Sequence, residues 1–195
     1  VAVQHLHRWD CNLVTFAGVM IMDRDERAFF DSVYTDSFPV LFRVVFRITG
    51  DEDVAEELCH EAFIRLYENS RRLPDTDQAR YWLLRVGKNL AFNHSKRRGR
   101  ERTANQRVYN EPTRPVDSAD APLLRQETEQ LVRAAVEKLP SNLRDVIVLK
   151  EYGDLSYGEI SRTLKISVGN VKVRVHRARE RLARILEEAD VHFPE

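Results

Sequence analysis

The sequence predicts an all-α chain built as two small helical domains joined by a flexible linker. Three observations lead there. Apolar residues recur at intervals of three and four through most of the chain, no segment alternates convincingly as a strand, and the helical period fails over one long proline-containing stretch in the middle. Gly and Pro number seven each among 195 residues, few enough for a helical protein with few turns.

The first helical stretch runs from Asp25 to about Thr49, with Phe29, Phe30, Val33, Phe38, Leu41, Phe42, Val45 and Ile48 at helical spacing. Pro39 is expected near a helix start, where its missing N–H does no harm. Thr49-Gly50-Asp51 reads as a stop followed by a new N-cap. The next helix spans about Glu52 to Asn69 on the stripe Ala55, Leu58, Ala62, Phe63 and Leu66. After a loop containing Pro74, a third helix from about Gln78 to Arg98 carries Trp82, Leu83, Val86 and Leu90.

The stretch that follows holds Pro112, Pro115 and Pro122 and no periodicity. It is longer than connections inside compact domains usually are, which argues for two domains. The expected division is an N-terminal extension 1–24, a first domain 25–100, a linker 101–123 and a second domain 124–190. Within the second domain one helix ends at Leu139-Pro140 and another fills Ser141 to Tyr152. Gly153-Asp154 turns, a short helix covers Tyr157 to Leu164, and a long one follows Ser167 to about Ala189.

Residues 1–21 are expected to be a disordered extension outside the translated protein, because Met20 or Met22 would make a natural start and the helical pattern begins only after Asp23. Mass spectrometry of native protein decides this; a mature chain starting at Val1 would sink it. The apolar patch from Val14 to Met22 lacks the basic flank and cleavage site of a signal peptide. No apolar run reaches the roughly 20 residues that span a bilayer. The expectation is a cytoplasmic protein with no membrane insertion. Cys11 and Cys59 cannot make a disulfide framework, and Cys59 is expected to be a buried thiol.

Lys+Arg and Asp+Glu are both 31, so the formal net charge is zero. That average hides segregation. Asp51 to Glu61 holds six acids and no Lys or Arg, whereas Arg80 to Arg100 holds seven bases and no acid. Val168 to Arg184 holds six bases against the single acid Glu180. Basic stripes neutralise phosphates and release counterions, giving salt-dependent attraction to DNA. The acidic helix repels DNA and needs a basic partner of another kind.

Ser156 to Ala183 has the layout of a helix-turn-helix: a short helix, a tight connection and a basic second helix. In such units the N-terminal part of the second helix reaches base edges in the major groove. Here that part carries Asn170, Lys172, Val173, His176 and Arg177. Arg and Lys can donate two hydrogen bonds to guanine O6 and N7. Arg174 and Arg179 point elsewhere and suit phosphates.

Leu139-Pro140, Arg144, Val146 to Leu149, Leu155-Ser156-Tyr157, Glu159-Ile160, Ile166-Ser167-Val168, Val171-Lys172, Arg174 and His176 to Leu182 together resemble region 4 of sigma-70-family factors. Gly50-Asp51, Ala55 to Leu58 and Glu61-Ala62-Phe63 resemble regions 2.1–2.2 of the same family. Trp82 to Val86, Asn89-Leu90-Ala91 and Arg97-Arg98 resemble regions 2.3–2.4. With no region 1.1 and no full domain 3, the pattern is that of the small extracytoplasmic-function (ECF) group.

The resemblance implies a sigma factor that binds core RNA polymerase and directs initiation at promoters, with no catalysis of its own and no cofactor or metal. It implies docking of Asp53, Glu56, Glu57, His60 and Glu61 on the clamp coiled coil of the β′ subunit, with the β flap a further polymerase contact. Arg85, Lys88, Asn89, Asn93, Lys96, Arg97 and Arg98 are implied to meet the −10 element, where Asn89 and Asn93 can both donate to and accept from unstacked bases. The loop from Arg71 to Arg80 is implied to help hold a flipped −10 base. Asn170, Lys172, Val173, Arg174, His176 and Arg177 are implied to meet the −35 element. Promoter DNA and an anti-sigma protein are the further partners. Trp82 is assigned to packing. Lys165 stands at a turn where the family often has Gly, which suits positive φ. His60 stands for a usual Gln, Ser161 for Ala, and Asn170 and Val173 for the common Thr and Ser.

Two other classes compete. A helix-turn-helix regulator that does not bind polymerase would not need the acidic helix followed by Trp82 to Arg98, and would tend to dimerise on a palindrome. An enzyme is disfavoured because the six His residues form no metal-ligand spacing and the chain has no HExxH and no Gly-rich phosphate loop. Cys59-His60 are helical neighbours that point in different directions.

Overall fold

The computed structural model describes residues 24–69, 73, 75–106 and 121–189. The expected extension, except Arg24, and most of the expected linker lie outside the described residues, as do 70–72 and Pro74 of the loop. Among the described residues the regular elements are seven helices: α1 Arg24–Thr49, α2 Glu52–Asn69, α3 Thr76–Gln106, α4 Ala121–Glu137, α5 Ser141–Glu151, α6 Tyr157–Leu164 and α7 Val168–Glu188.

α1 is one unbroken helix with Pro39 inside it, so the expected helix start at Pro39 does not occur. The ring removes one ladder hydrogen bond and crowds the preceding turn, at about 3 kcal/mol. Burial outweighs that cost, because Val33, Ser37, Leu41, Val44, Val45 and Ile48 form one buried face that a break would split. α1 ends at Gly50, whose φ of +71° suits glycine and whose N–H donates to the Phe46 carbonyl at 2.7 Å. Asp51 then caps α2, accepting from the Val54 N–H at 3.2 Å, as the sequence predicts. The aromatic rings of Phe30, Tyr34 and Phe38 gather around Phe63 of α2, with centroids 5.8, 4.9 and 6.4 Å from it.

α3 runs eight residues past the expected end at Arg98 and takes up the first residues of the expected linker. Nothing in Gly99 to Gln106 stops a helix, and Arg97 pairs with Glu101 one turn on at 3.7 Å. Trp82 is half-buried and packs on the core, as assigned. Cys59 is fully buried and free, and burial pushes its thiol far above the usual range.

The helix-turn-helix is capped at both helices. Ser156 and Glu159 form a reciprocal capping box at the start of α6. Ser167 accepts from the Asn170 N–H to start α7. Lys165 closes α6 in the left-handed region at φ 56°, the turn position where glycine would be the unstrained choice.

The two helical groups do not stand apart. Val44 and Leu41 of α1, Leu83 and Leu84 of α3, Val146 and Leu149 of α5 and Ile160 of α6 belong to one continuous buried cluster. Gly153 is buried at the junction: a Cβ there would lie 2.7 Å from the Leu149 carbonyl oxygen and 3.3 Å from Val44. The Leu149 carbonyl leaves no room for a side chain at this turn, and Val44 of α1 would have to shift by a few tenths of an ångström as well.

Candidate nucleic-acid and polymerase interface

On α7 the sequence pattern and the geometry agree. Val171, Val175 and Ala178 are buried on one side, and on the other Asn170, Lys172, Val173, His176 and Arg177 are exposed, Val173 by 48%. These side chains form one outward face at the N-terminal half of a basic helix. Arg174 lies at its edge, half-buried, and donates from Nε to Asn170 Oδ1 at 2.9 Å. That bond fixes both side chains, so they act as a unit rather than as independent contacts. His176 faces Glu180 one turn on at 3.7 Å. Arg179, expected to suit phosphates, is exposed and donates to Glu151 Oε1 of α5, from Nη2 at 2.7 Å and from Nε at 3.2 Å.

On α2 the acidic residues share a surface. Asp53 and Glu57 are exposed, while Glu56, His60 and Glu61 are partly so. Glu61 pairs with Arg65 one turn on. Burial pushes the His60 imidazole down, keeping it neutral near pH 7, so it adds no positive charge to the acidic face. Ile64 sits one turn beyond His60 and is 36% exposed. The sequence reading passed over it; its helical spacing from His60 and Glu61 was the available signal.

On α3 the basic residues divide. Asn89, Asn93, Lys96 and Arg97 are exposed, and Arg85 and Arg98 partly so. Arg98 reaches Asp51 at 3.7 Å. Lys88 is the exception, 2% exposed. Its Nζ lies 2.8 Å from Asp145 Oδ1 of α5 and donates to Asn89 Oδ1 at 2.8 Å. Burial pushes the Lys88 ammonium below its usual range, against the pull of Asp145.

Lys88 is not alone in facing the second helical group. Arg80 pairs with Glu159 of α6 at 3.2 Å, and Arg162 of α6 donates to the Tyr81 hydroxyl at 2.6 Å. The Arg144 guanidinium stands over the Phe92 ring, 4.0 Å from its centroid. Partial burial pushes the Glu159 carboxyl up, but hydrogen bonds from the Ser156 backbone and hydroxyl, with Arg80 and Arg162, hold it below the usual carboxylate range.

A small cleft of about 250 Å³ opens where α1 meets the start of α3, lined by Val33, Asp36, Ser37, Thr76, Asp77 and Arg80. The fully buried Ser37 hydroxyl and the Arg80 Nε have no hydrogen-bond partner there. Among the described residues no cluster of His, Cys, Asp and Glu could hold a metal ion, and no helix is long and apolar enough to cross a membrane.

The comparisons with known proteins follow the same division. Residues 33–101 match the family model for sigma-70 region 2, and residues 129–182 match that for sigma-70 region 4. The chain is 31% identical over 171 residues to the RNA polymerase sigma-H factor of Pseudomonas aeruginosa, covering 84% of this chain and 88% of that protein. It is 29% identical over 174 residues to the ECF RNA polymerase sigma factor SigW of Bacillus subtilis, covering 84% and 91%. Its fold is similar to that of CnrH, solved with the cytosolic domain of CnrY (TM-score 0.55, 22% identity, 82% of this chain and 88% of that one). It is also similar to the sigma factor RpoE of Bartonella quintana, solved with the anti-sigma factor NepR (TM-score 0.52, 22% identity, 81% and 96%). Two region models matched in order, and relatives aligned over most of their length, place the chain in the sigma-70 family of RNA polymerase sigma factors, within its ECF group.

Proposed function

We propose that the chain acts as a promoter-selective initiation factor whose three charged surfaces divide the work, with no catalytic step of its own. The observation that carries the reading is the separation of an exposed acidic face on α2 from an exposed basic face on α7 within one chain. A protein that only bound DNA would gain nothing from the first.

In this reading residues 25–106 form the region 2 unit and 121–189 the region 4 unit. Asp53, Glu56, Glu57, His60 and Glu61 meet the β′ clamp coiled coil, with Ile64 adding an apolar contact, and region 4 meets the β flap. Arg85, Asn89, Asn93, Lys96, Arg97 and Arg98 track the opened −10 strand, and Lys88 joins them when uncovered. The cleft at Ser37 and Arg80 suits an unstacked base, because its unused hydroxyl and guanidinium positions lie beside the carboxylates of Asp36 and Asp77. Lys172, Val173, His176 and Arg177 read the −35 duplex, Val173 offering a methyl contact to thymine. The site of action is the cytoplasm, and an anti-sigma protein is the controlling partner. Of two structures of the same fold, one holds such a pair, the sigma factor RpoE with the anti-sigma factor NepR, and the other holds CnrH with the cytosolic domain of CnrY.

In vitro transcription with core polymerase and a promoter library tests this. Initiation at a discrete subset sharing two spaced elements is expected. DNA binding without polymerase-dependent initiation overturns it in favour of a stand-alone regulator. Charge reversal at Glu57 should weaken polymerase binding while helical content stays unchanged; unaltered binding removes the docking assignment.

A further inference from the structure

We infer that Lys172 is an acetylation site: a small acyl phosphate such as acetyl phosphate transfers its acetyl group to Nζ, with His176 as general base and Glu180 holding His176 in place. The site stands on the geometry of α7, and its consequence for DNA rests on the −35 reading above.

The sequence singles out this amine. Of the six bases between Val168 and Arg184, Lys172 is the one lysine and the rest are arginines, whose guanidinium stays protonated and offers no nucleophilic pair. Among the six lysines of the chain, Lys172 alone has a histidine three or four residues away. Residues four apart on a helix stand one above the other, with roughly 5–6 Å between their Cβ atoms. Helical side chains lean toward the N-terminus, which directs Glu180 back to His176 and His176 back toward Lys172. The first of these contacts is present: His176 Nε2 faces Glu180 Oε1 at 3.7 Å.

A donor can reach the amine without rearrangement. Lys172, Gly169, Val173 and His176 are exposed, the His176 side chain by 76%. A Cβ built on Gly169 would meet nothing within 4 Å. The other charged groups around His176 are Arg177 beside it and Arg179 three residues on, and Arg179 is held by Glu151 of α5 at 2.7 Å. Glu180 is thus the carboxylate that serves the imidazole, while the exposed Arg177 attracts the phosphate of the donor.

The amine reacts in its neutral form, its first proton having gone to water. As the Lys172 nitrogen bonds to the carbonyl carbon, His176 takes the second proton from that nitrogen. The bond from the carbonyl carbon to the phosphate oxygen breaks, phosphate leaves with the bonding pair, and the imidazolium passes it the proton. With Nε2 turned to Glu180, Nδ1 is left to accept, and the carboxylate steadies the imidazolium that forms. The products are N-acetyl-lysine and inorganic phosphate. Lys172 then lacks its charge and can no longer donate twice to guanine O6 and N7.

The test incubates the full chain with acetyl phosphate and reads each lysine by mass spectrometry. Lys96, Lys138 and Lys165 are exposed and serve as references. Lys172 should react about tenfold faster than they do, short of the roughly 100-fold that a well-positioned base supplies. His176→Ala should remove that advantage and leave the references unchanged. Glu180→Gln should lower it and alter the shape of the pH profile at Lys172 alone; an unaltered profile removes the positioning role of Glu180. Both replaced side chains are exposed, so helical circular dichroism should hold. A Lys172 no faster than the references, or an advantage that survives His176→Ala, overturns the site. Acetylated wild type should bind a −35 duplex from the promoter library about tenfold more weakly. Lys172→Arg, which has no amine to acetylate, should lose nothing on the same treatment. Equal wild-type affinity before and after acetylation overturns the consequence for DNA. Transcription by the unmodified wild type with core polymerase is run alongside. Its absence removes the sigma reading and leaves the site standing, whereas initiation with unselective labelling removes the site alone.

Discussion

α3 and α7 are both long basic helices, yet their charges meet different fates. On α7 the buried residues fall on one side, and Lys172, His176 and Arg177 face water. On α3, Arg80 and Lys88 are occupied by Glu159 and Asp145 of region 4. A run of like charge in a sequence announces an electrostatic surface, but it does not say whether the chain spends that surface on itself. Both helices pack against helices of the second group; the difference is that α3 turns Arg80 and Lys88 toward it, while α7 turns Lys172, His176 and Arg177 to solvent.

The largest expected effect breaks the α3 side of this contrast. Asp145→Ala leaves the buried Lys88 ammonium with Asn89 Oδ1 but no carboxylate and should cost about 3 kcal/mol, the scale for breaking a buried pair. Urea denaturation checks it, with the loss confined to the contact between the two units. Next comes the α7 side. Arg177→Ala should cost about 2 kcal/mol on the preferred −35 duplex, the usual worth of a bidentate base contact. An equal loss on unrelated duplexes in a competition assay would demote Arg177 to a phosphate contact.

Ser156→Ala removes the hydroxyl half of the capping box at the start of α6, leaving the backbone N–H bond to Glu159, and should lower stability by about 1 kcal/mol, read from the thermal midpoint. The same corner carries a pH signature. Glu159 is held below its ordinary value in the folded chain, so its contribution is whole above about pH 4.3 and fades as the pH falls through the depressed value. In Glu159→Gln that acid-side slope should flatten. The smallest effect is a gain. Lys165→Gly relieves a left-handed lysine and should stabilise the helix-turn-helix by up to about 1 kcal/mol, with DNA affinity unchanged.

Most of the fold was legible because helical period, caps and proline are local signals. The stop at Gly50, the N-cap at Asp51 and the positions of α5, α6 and α7 all follow from residues within a turn or two of each boundary. Pro39 misled because its cost is local while its compensation, the buried face from Val33 to Ile48, is tertiary. The length of α3 was missed because a charged helix beyond the core has no apolar stripe to mark it. The outward face of α7 was legible from spacing alone; the capping box was passed over, although Ser156 and Glu159 stand three residues apart as such a box requires. The pairing of Lys88 with Asp145 was not, because nothing in either local sequence specifies a partner so far along the chain. For the same reason the pairing of Arg179 with Glu151 was not legible.

The contrast between the two helices can be tested on lysines alone. Acetylation footprinting by mass spectrometry compares Lys88 with Lys172 in the free chain. The account predicts that Lys88 is protected in the free chain, while Lys172 reacts readily there. Labelling of Lys88 as fast as Lys172 in the free chain would contradict the account, since Lys88 would then not be buried against Asp145.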